Sequence, residues 1–289
     1  MNAQNRIAEI LPAEFPKALA ECPKRPRKLY MLGDFPKGRY IAMVGTRRPS
    51  SGAQNLCKRL VRSLVGTGAV VVSGLAQGID SFCHEAALEY EIPTVAVLGQ
   101  GLEVKIPGER RELAKRILLA GGAIATELEG GVPGLKGTYP ARNRIIAALS
   151  ECTVIVESRR SGGSLITAEF ALEFKKKLIA VPGDFDRETA EGTNQLLRSG
   201  RALPVFDPDD LASVCGFLKA KEQPAIDTSL LSPDTKKFYE RYAGFGKTQQ
   251  ELIDETGLGA AGLLSILTEL ELAGIAYTED GFRYRFEKE

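Results

Sequence analysis

Residues 136–169 read KGTYPARNRIIAALSECTVIVESRRSGGSLITAE: a loop, a helix, a buried strand, then a glycine turn that opens a second helix. Pro140 stands at the start of the first helix, and Ile145, Ile146 and Leu149 recur on one face of it. Residues 152–156 form a short apolar run rich in β-branched side chains, the pattern of a buried strand. Ser161, Gly162, Gly163 and Ser164 then lead into a helix whose unpaired N–H groups and positive dipole end suit a phosphate. Lys136, Arg142 and Arg144 cluster just upstream, with Tyr139 among them. Cations for phosphates and a ring for a base are the combination that holds single-stranded nucleic acid.

The same alternation continues outward. Strands are expected at 40–44, 69–72, 94–98, 122–126 and 178–181, with helices over 51–66, up to residue 89, and over 109–120. Continuous apolar strands alternating with helices predict an α/β fold, a Rossmann-like parallel sheet covered by helices on both faces. In such sheets ligands bind beyond the carboxyl ends of the strands. The candidates therefore converge on one edge: Gly45, Thr46, Arg47 and Arg48 after the first of these strands, Ser73, Gly74 and Gln77 after the second, Lys105 after the third. Lys136, Tyr139, Arg142, Asn143, Arg144, Ser161, Gly162, Gly163 and Ser164 complete the set. Asp80, His84, Glu157 and Thr167 are expected to support the pocket. His84 falls one helical turn beyond Asp80, within reach of a hydrogen bond to it, and Glu157 is a candidate carboxylate partner for Arg142 or Arg144.

Flanking segments divide the chain. Residues 1–39 are rich in proline and lysine and poorly periodic, a lead-in segment ahead of the main domain. Residues 40–218 form the main domain, whose last part, 192–218, reads as helix, turn and helix. A polar, proline-containing linker follows at 219–231. Residues 232–289 carry helices at 233–242, 248–256 and 259–273 and a hairpin turning at Glu279-Asp280-Gly281, together a small winged-helix domain.

Composition narrows the function. With 289 residues, 44% of them hydrophobic, and a net charge of +1, the chain has an ordinary globular make-up and is not a generally basic binder. The run 47–62 nevertheless holds Arg47, Arg48, Lys58, Arg59 and Arg62 with no acid. No apolar run approaches the roughly 20 residues of a membrane span, and no signal-peptide pattern opens the chain. The five cysteines are scattered and never form a C-x-x-C pair, which predicts reduced thiols in a cytoplasmic protein with no zinc site. A single histidine, His84, leaves little room for a metal centre or a catalytic triad.

YPARNRII followed by SGGSLITAEFALEFKKKLIAVPG resembles the DprA/Smf DNA-processing family, over nearly the whole chain from Phe15 onward. The resemblance implies that Arg47, within a glycine-hydroxyl-arginine motif, contacts DNA. It further implies that Lys136, three residues before the Tyr139-Pro140 pair, contacts phosphate while Tyr139 stacks on a base. It implies a binding protein without catalysis, cofactor or metal. Such a protein protects incoming single strands in natural transformation, helps load the RecA recombinase, and forms a homodimer. The resemblance also implies that the lead-in segment at 1–39 is packed on the core, and the extra helical domain that family members often carry ahead of it is not expected in these residues. Two departures stand out: Gln77 replaces a usual basic residue, and GQGLEVKIPGER has Ile106 and Gly108 where the family has tyrosine and a basic residue. Lys105, Arg110 and Arg111 would supply charge from shifted positions.

Other motifs fail on their residues. Gly246-Lys247-Thr248 ends like a P-loop, but Arg241 occupies the required first glycine. No GxGxxG opens the strand at 40–44. Phosphoribohydrolases of the lysine-decarboxylase-like (LOG) type hold a nucleotide with PGGxGTxxE, and SGGSLITAE shares Gly162, Gly163 and Glu169 with it. Leu165 and Ile166 stand where that loop needs glycine and threonine, so its close backbone approach is obstructed.

Overall fold

The computed structural model describes residues 6–217, 231–243, 246–273, 275–278 and 283–286; all of the expected linker but Leu231 lies outside the described residues. The chain divides into two compact units, Met1–Lys219 and Ala220–Glu289.

In the first unit nine strands share one sheet: β1 (Ala8–Ile10), β2 (Leu29–Leu32), β3 (Arg39–Val44), β4 (Ala69–Ser73), β5 (Thr94–Leu98), β6 (Ala123–Thr126), β7 (Cys152–Ile155), β8 (Lys177–Ala180) and β9 (Leu203–Pro204). Their order across the sheet is β1-β2-β6-β5-β4-β3-β7-β8-β9. The β1–β2 and β2–β6 pairs are antiparallel and the others parallel. The fold is therefore the expected α/β one, a Rossmann-like and mostly parallel sheet.

Both faces are buried, which is why the strands read as unbroken apolar runs. Along β3, Tyr40, Ala42 and Val44 join one core with Ile145 and Ile146 of α5 (Thr138–Leu149) and Ala168 of α6 (Ser164–Glu173). Ile41 and Met43 point the other way, to Leu60 of α2 (Ala53–Arg62) and Cys83 of α3 (Ile79–Glu89). Farther along that second face, Leu113 and Ile117 of α4 (Glu109–Leu119) cover Ala96 and Ile124. All five cysteines are free and buried.

Two segments differ from the sequence reading. The lead-in does more than pack on the core, because β2 extends the sheet, pairing Tyr30 with Thr126 and Met31 with Ala125. Phe15, Leu19, Leu29 and Met31 all enter the first core. Residues 192–218 are also more than two helices: α7 (Glu191–Arg198) and α8 (Leu211–Cys215) are separated by β9, which pairs with β8.

The second unit holds α9 (Pro233–Tyr242), α10 (Gln249–Thr256) and α11 (Ala260–Leu272), close to the expected helices. Its sheet has three strands, in the order β10-β12-β11, formed by Gly246–Thr248, Arg283–Phe286 and Ala276–Thr278. The P-loop-like Gly246-Lys247-Thr248 thus forms β10, and Thr248 caps α10. Its hydroxyl accepts from the Glu251 N–H, and Glu251 accepts from the Thr248 N–H.

Candidate functional site

β3 is the first of the parallel strands, yet it lies in the middle of the sheet, with β4 on one side and β7 on the other. The winding reverses there, and ligands of open α/β sheets bind in the crevice at that point. A cleft of about 470 Å³ opens at this place, lined by Gly45, Thr46, Arg47 and Arg48 after β3 and by Arg159, Gly162, Gly163 and Ser164 after β7. Tyr139, Pro140, Arg142 and Asn143 of α5, Ile166 and Thr167 of α6, and Asp80 of α3 complete its walls.

The floor is built around Gly74. Its N–H donates to Asp80 Oδ2 at 3.1 Å, and its carbonyl accepts from Arg142 Nη1 at 2.7 Å. A Cβ on Gly74 would stand 2.4 Å from the Arg142 guanidinium, so only glycine admits the arginine here. Arg142 also donates to the Val97 carbonyl, and its Nε donates to Asn143 Oδ1 at 3.2 Å. Asn143 in turn donates to the Gly163 carbonyl at 3.3 Å, tying α5 to the glycine turn. Burial lowers the Arg142 pKa to about 10, with Asp80 opposing and Arg47 adding to the fall, so the group stays cationic at neutral pH. Burial raises the Asp80 carboxyl, against Arg142 and the backbone N–H donors.

The rim is where a ligand would be met. Arg47 and Arg48 are exposed, and neither makes an ion pair among the described residues. The Arg47 guanidinium sits 5.3 Å from the centre of the Tyr139 ring, in cation–π range. Tyr139 is half-buried against two glycines: a Cβ on Gly99 would come 2.8 Å from its Cδ1, and one on Gly134 would come 2.4 Å from its hydroxyl. At the start of α6, the Leu165 and Ile166 N–H groups bond to the carbonyls of Gly162 and Gly163. The Gly163 and Ser164 N–H groups have no acceptor among the described residues, leaving a positive helix end at the cleft.

Residues 6–216 match the family model of DNA recombination-mediator protein A. The chain belongs to that family. Protein Smf of Escherichia coli strain K12 is 32% identical, over 94% of this chain and 76% of its own length. The DNA processing protein DprA of Streptococcus pneumoniae is 35% identical over 70% of this chain and 72% of its own. The crystallographically solved DprA of that species superposes with a TM-score of 0.65 at 32% identity, covering 72% of this chain and 75% of the other. DNA processing protein A of Helicobacter pylori, described for its unique single-stranded DNA binding mode, gives the same TM-score, 0.65, at 30% identity, covering 72% of this chain and 94% of the other.

The expected site residues divide between the cleft wall, the scaffold behind it and the surface outside it. Arg142 reaches the cleft floor, where its guanidinium donates to the Gly74 and Val97 carbonyls. Arg144 pairs with Glu127, and Glu157 partners neither arginine. Glu157 instead accepts from the Ser50 N–H at 2.9 Å and from the Ser50 hydroxyl, with Arg187 at 3.8 Å, because its strand end lies under the 45–50 turn. Asp80 and His84 do not bond to each other. Asp80 turns to the Gly74 and Ala76 N–H groups, while His84 Nδ1 lies 2.7 Å from the Thr94 hydroxyl on neighbouring β5. Ser73 and Gly74 are buried, and the Ser73 hydroxyl donates to the Met43 carbonyl. Ser164 is buried as well, donating to Ser158 Oγ at 2.9 Å. Gln77, Lys105, Lys136 and Ser161 are exposed but do not line this cleft. Thr167 does, from its buried place in α6. The sequence reading missed Arg159, paired with Glu188 at the cleft's edge, although the Arg-Arg pair before the glycine turn marked it. Leu165 packs on the first core and Ile166 lines the cleft where a LOG-type loop needs glycine and threonine.

Proposed function

We propose that the cleft binds single-stranded DNA, with Arg47 and Arg48 on phosphates, Tyr139 under a base and the start of α6 on a further phosphate. The observation that carries this reading is the pairing of an unneutralised Arg47 with the half-exposed Tyr139 ring across one cleft at the sheet's reversal point. A cation and a stacking ring side by side suit an unpaired nucleotide, because in a duplex the base faces are already stacked. Arg142 and Asp80 serve this site by holding its floor, and Lys136 and Lys105 guide the strand toward it. The protein acts as a mediator without catalysis, protecting incoming strands in natural transformation and passing them to a RecA-type recombinase. The family's description as a recombination mediator supports that role, as does the single-stranded DNA binding described for the H. pylori relative. A homodimer is part of the proposal. The open sheet edge at β9, with Leu203 48% and Phe206 82% exposed, offers an apolar surface for it. Residues 232–289, whose described residues form three helices and three short strands, act as a winged-helix module.

A gel-shift comparison of oligo-dT with duplex of equal length tests the reading. Retention of oligo-dT alone is expected; equal binding of both, or hydrolysis of a nucleotide in the control lane, overturns it.

A further inference from the structure

A second cleft, of about 530 Å³, opens on the far side of Arg47, between α3 and the start of α4. Arg47 lines both clefts, so a strand whose phosphate it holds has its neighbouring nucleotide at the mouth of the second. The walls there are unlike those of the first. Phe82 and Leu113 supply apolar surface from α3 and α4, Glu85 and Glu109 supply carboxylates from the same two helices, and Arg110 adds a second guanidinium to that of Arg47. Neither carboxylate makes a hydrogen bond or an ion pair among the described residues. They lie near enough to each other that Glu109, after burial, keeps the Glu85 carboxyl raised, against Arg116 and Lys58.

Against the Arg47 and Arg110 guanidiniums at this cleft stand two carboxylates without an ion-pair partner among the described residues, Glu85 and Glu109. They accept hydrogen bonds from amine groups, and carboxylates read cytosine through its N4 amine in this way. Cytosine, adenine and guanine each carry an exocyclic amine; thymine carries none and has only its N3–H, flanked by two carbonyls, to offer the acids. Phe82 offers such a base a ring face. We propose that this second cleft is a base-discriminating subsite, taking an amine-bearing base of the nucleotide next to the one held at Arg47 and disfavouring thymine. The inference rests on the single-strand reading of the first cleft.

The test is anisotropy titration of the full chain with fluorescein-labelled oligo-dC and oligo-dT of about 16 nucleotides, at one salt concentration. Wild type is expected to bind oligo-dC roughly fivefold or more tightly than oligo-dT. In Glu85→Ala/Glu109→Ala the two affinities should converge, through loss on oligo-dC. Glu109 is exposed, so Glu109→Ala alone, expected to narrow the ratio, guards against a misfolded double variant. If the double variant tightens both strands by the same factor, the carboxylates only repel phosphates and the proposal falls. Equal wild-type affinities for the two strands also sink it. If wild type binds neither strand, the single-strand reading itself has failed.

Discussion

Tyr139 has little choice of orientation. Gly99 and Gly134 leave it a slot, and the Arg47 guanidinium covers one side of the ring. Stacked bases are worth about 1–3 kcal/mol each when the ring is removed. Tyr139→Ala should therefore weaken oligo-dT binding by that amount and leave its salt dependence unchanged, while Tyr139→Phe keeps the affinity. Arg47→Ala should instead flatten the log–log salt slope by about 0.7, one phosphate's share. A salt titration of both variants separates the two roles; a Tyr139→Ala protein that melts lower yet binds normally would make the ring structural. His84 supplies a second prediction. The Thr94 hydroxyl donates to the Val71 carbonyl, so its oxygen accepts from His84 Nδ1–H, leaving Nε2 buried and unpartnered among the described residues. Burial, with Arg142 adding, lowers the His84 pKa to about 3 from 6.5. The unfolded chain binds the extra proton between those values, so this group's contribution to stability falls as pH drops from about 6.5 toward 3, by at most about 1.4 kcal/mol per pH unit. Asp80, with its raised carboxyl, acts in the opposite sense at the acid end. The chain has one histidine, so a single imidazole NMR signal that does not titrate from pH 7 to 5 would verify this; a midpoint near 6.5 would refute it.

At the scale of elements, the parallel strands were legible because both of their faces are buried, and an unbroken apolar run needs no partner to be recognised. β2 was not legible. Its neighbours in sequence are prolines and lysines, and its pairing with β6 spans roughly a hundred residues, a register that local pattern does not carry. That pairing yields a prediction. Removing residues 1–32 strips Leu19, Leu29 and Met31 from the core and bares β6 as an unpaired apolar edge. Exposed edges of that kind recruit other chains. The truncated protein should appear in the insoluble or aggregated fraction on size-exclusion chromatography; a soluble, cooperatively melting product would show that the lead-in is dispensable. β9 was missed for a related reason: two residues ending in proline carry almost no strand signal, and only β8 beside them supplies the ladder.

At the scale of the whole molecule, charge is unevenly shared. The rim of the first cleft has free arginines, whereas residues 248–274 hold Glu251, Asp254, Glu255, Glu269 and Glu271 and no lysine or arginine. The nearest cation, Lys247, pairs with Glu255, and Glu269 is occupied by Ser232 and Thr235 at the start of α9. A recognition helix without cations placed beside phosphates gains nothing from counterion release. Residues 232–289 expressed alone should show no measurable duplex binding at physiological salt, whatever surface they offer a protein partner. Submicromolar binding abolished by Arg283→Ala would restore the unit as a DNA reader.

The sequence by itself determined the layered α/β class, the helices of both units and the edge on which the glycine turns gather, since periodicity and turn chemistry are local properties. It also put a ring and several cations into one short stretch, Lys136 to Arg144, but the guanidinium that meets the Tyr139 ring is Arg47, from the turn after β3. Only the tertiary structure decided which cations are free. Arg142, Arg144 and Arg47 look alike in sequence, yet one is spent on the Gly74 and Val97 carbonyls, one on Glu127, and the third is left at the rim. Those partners come from strands and loops up to 68 positions away, and a long-range electrostatic match of that kind exists only once the sheet has brought them together.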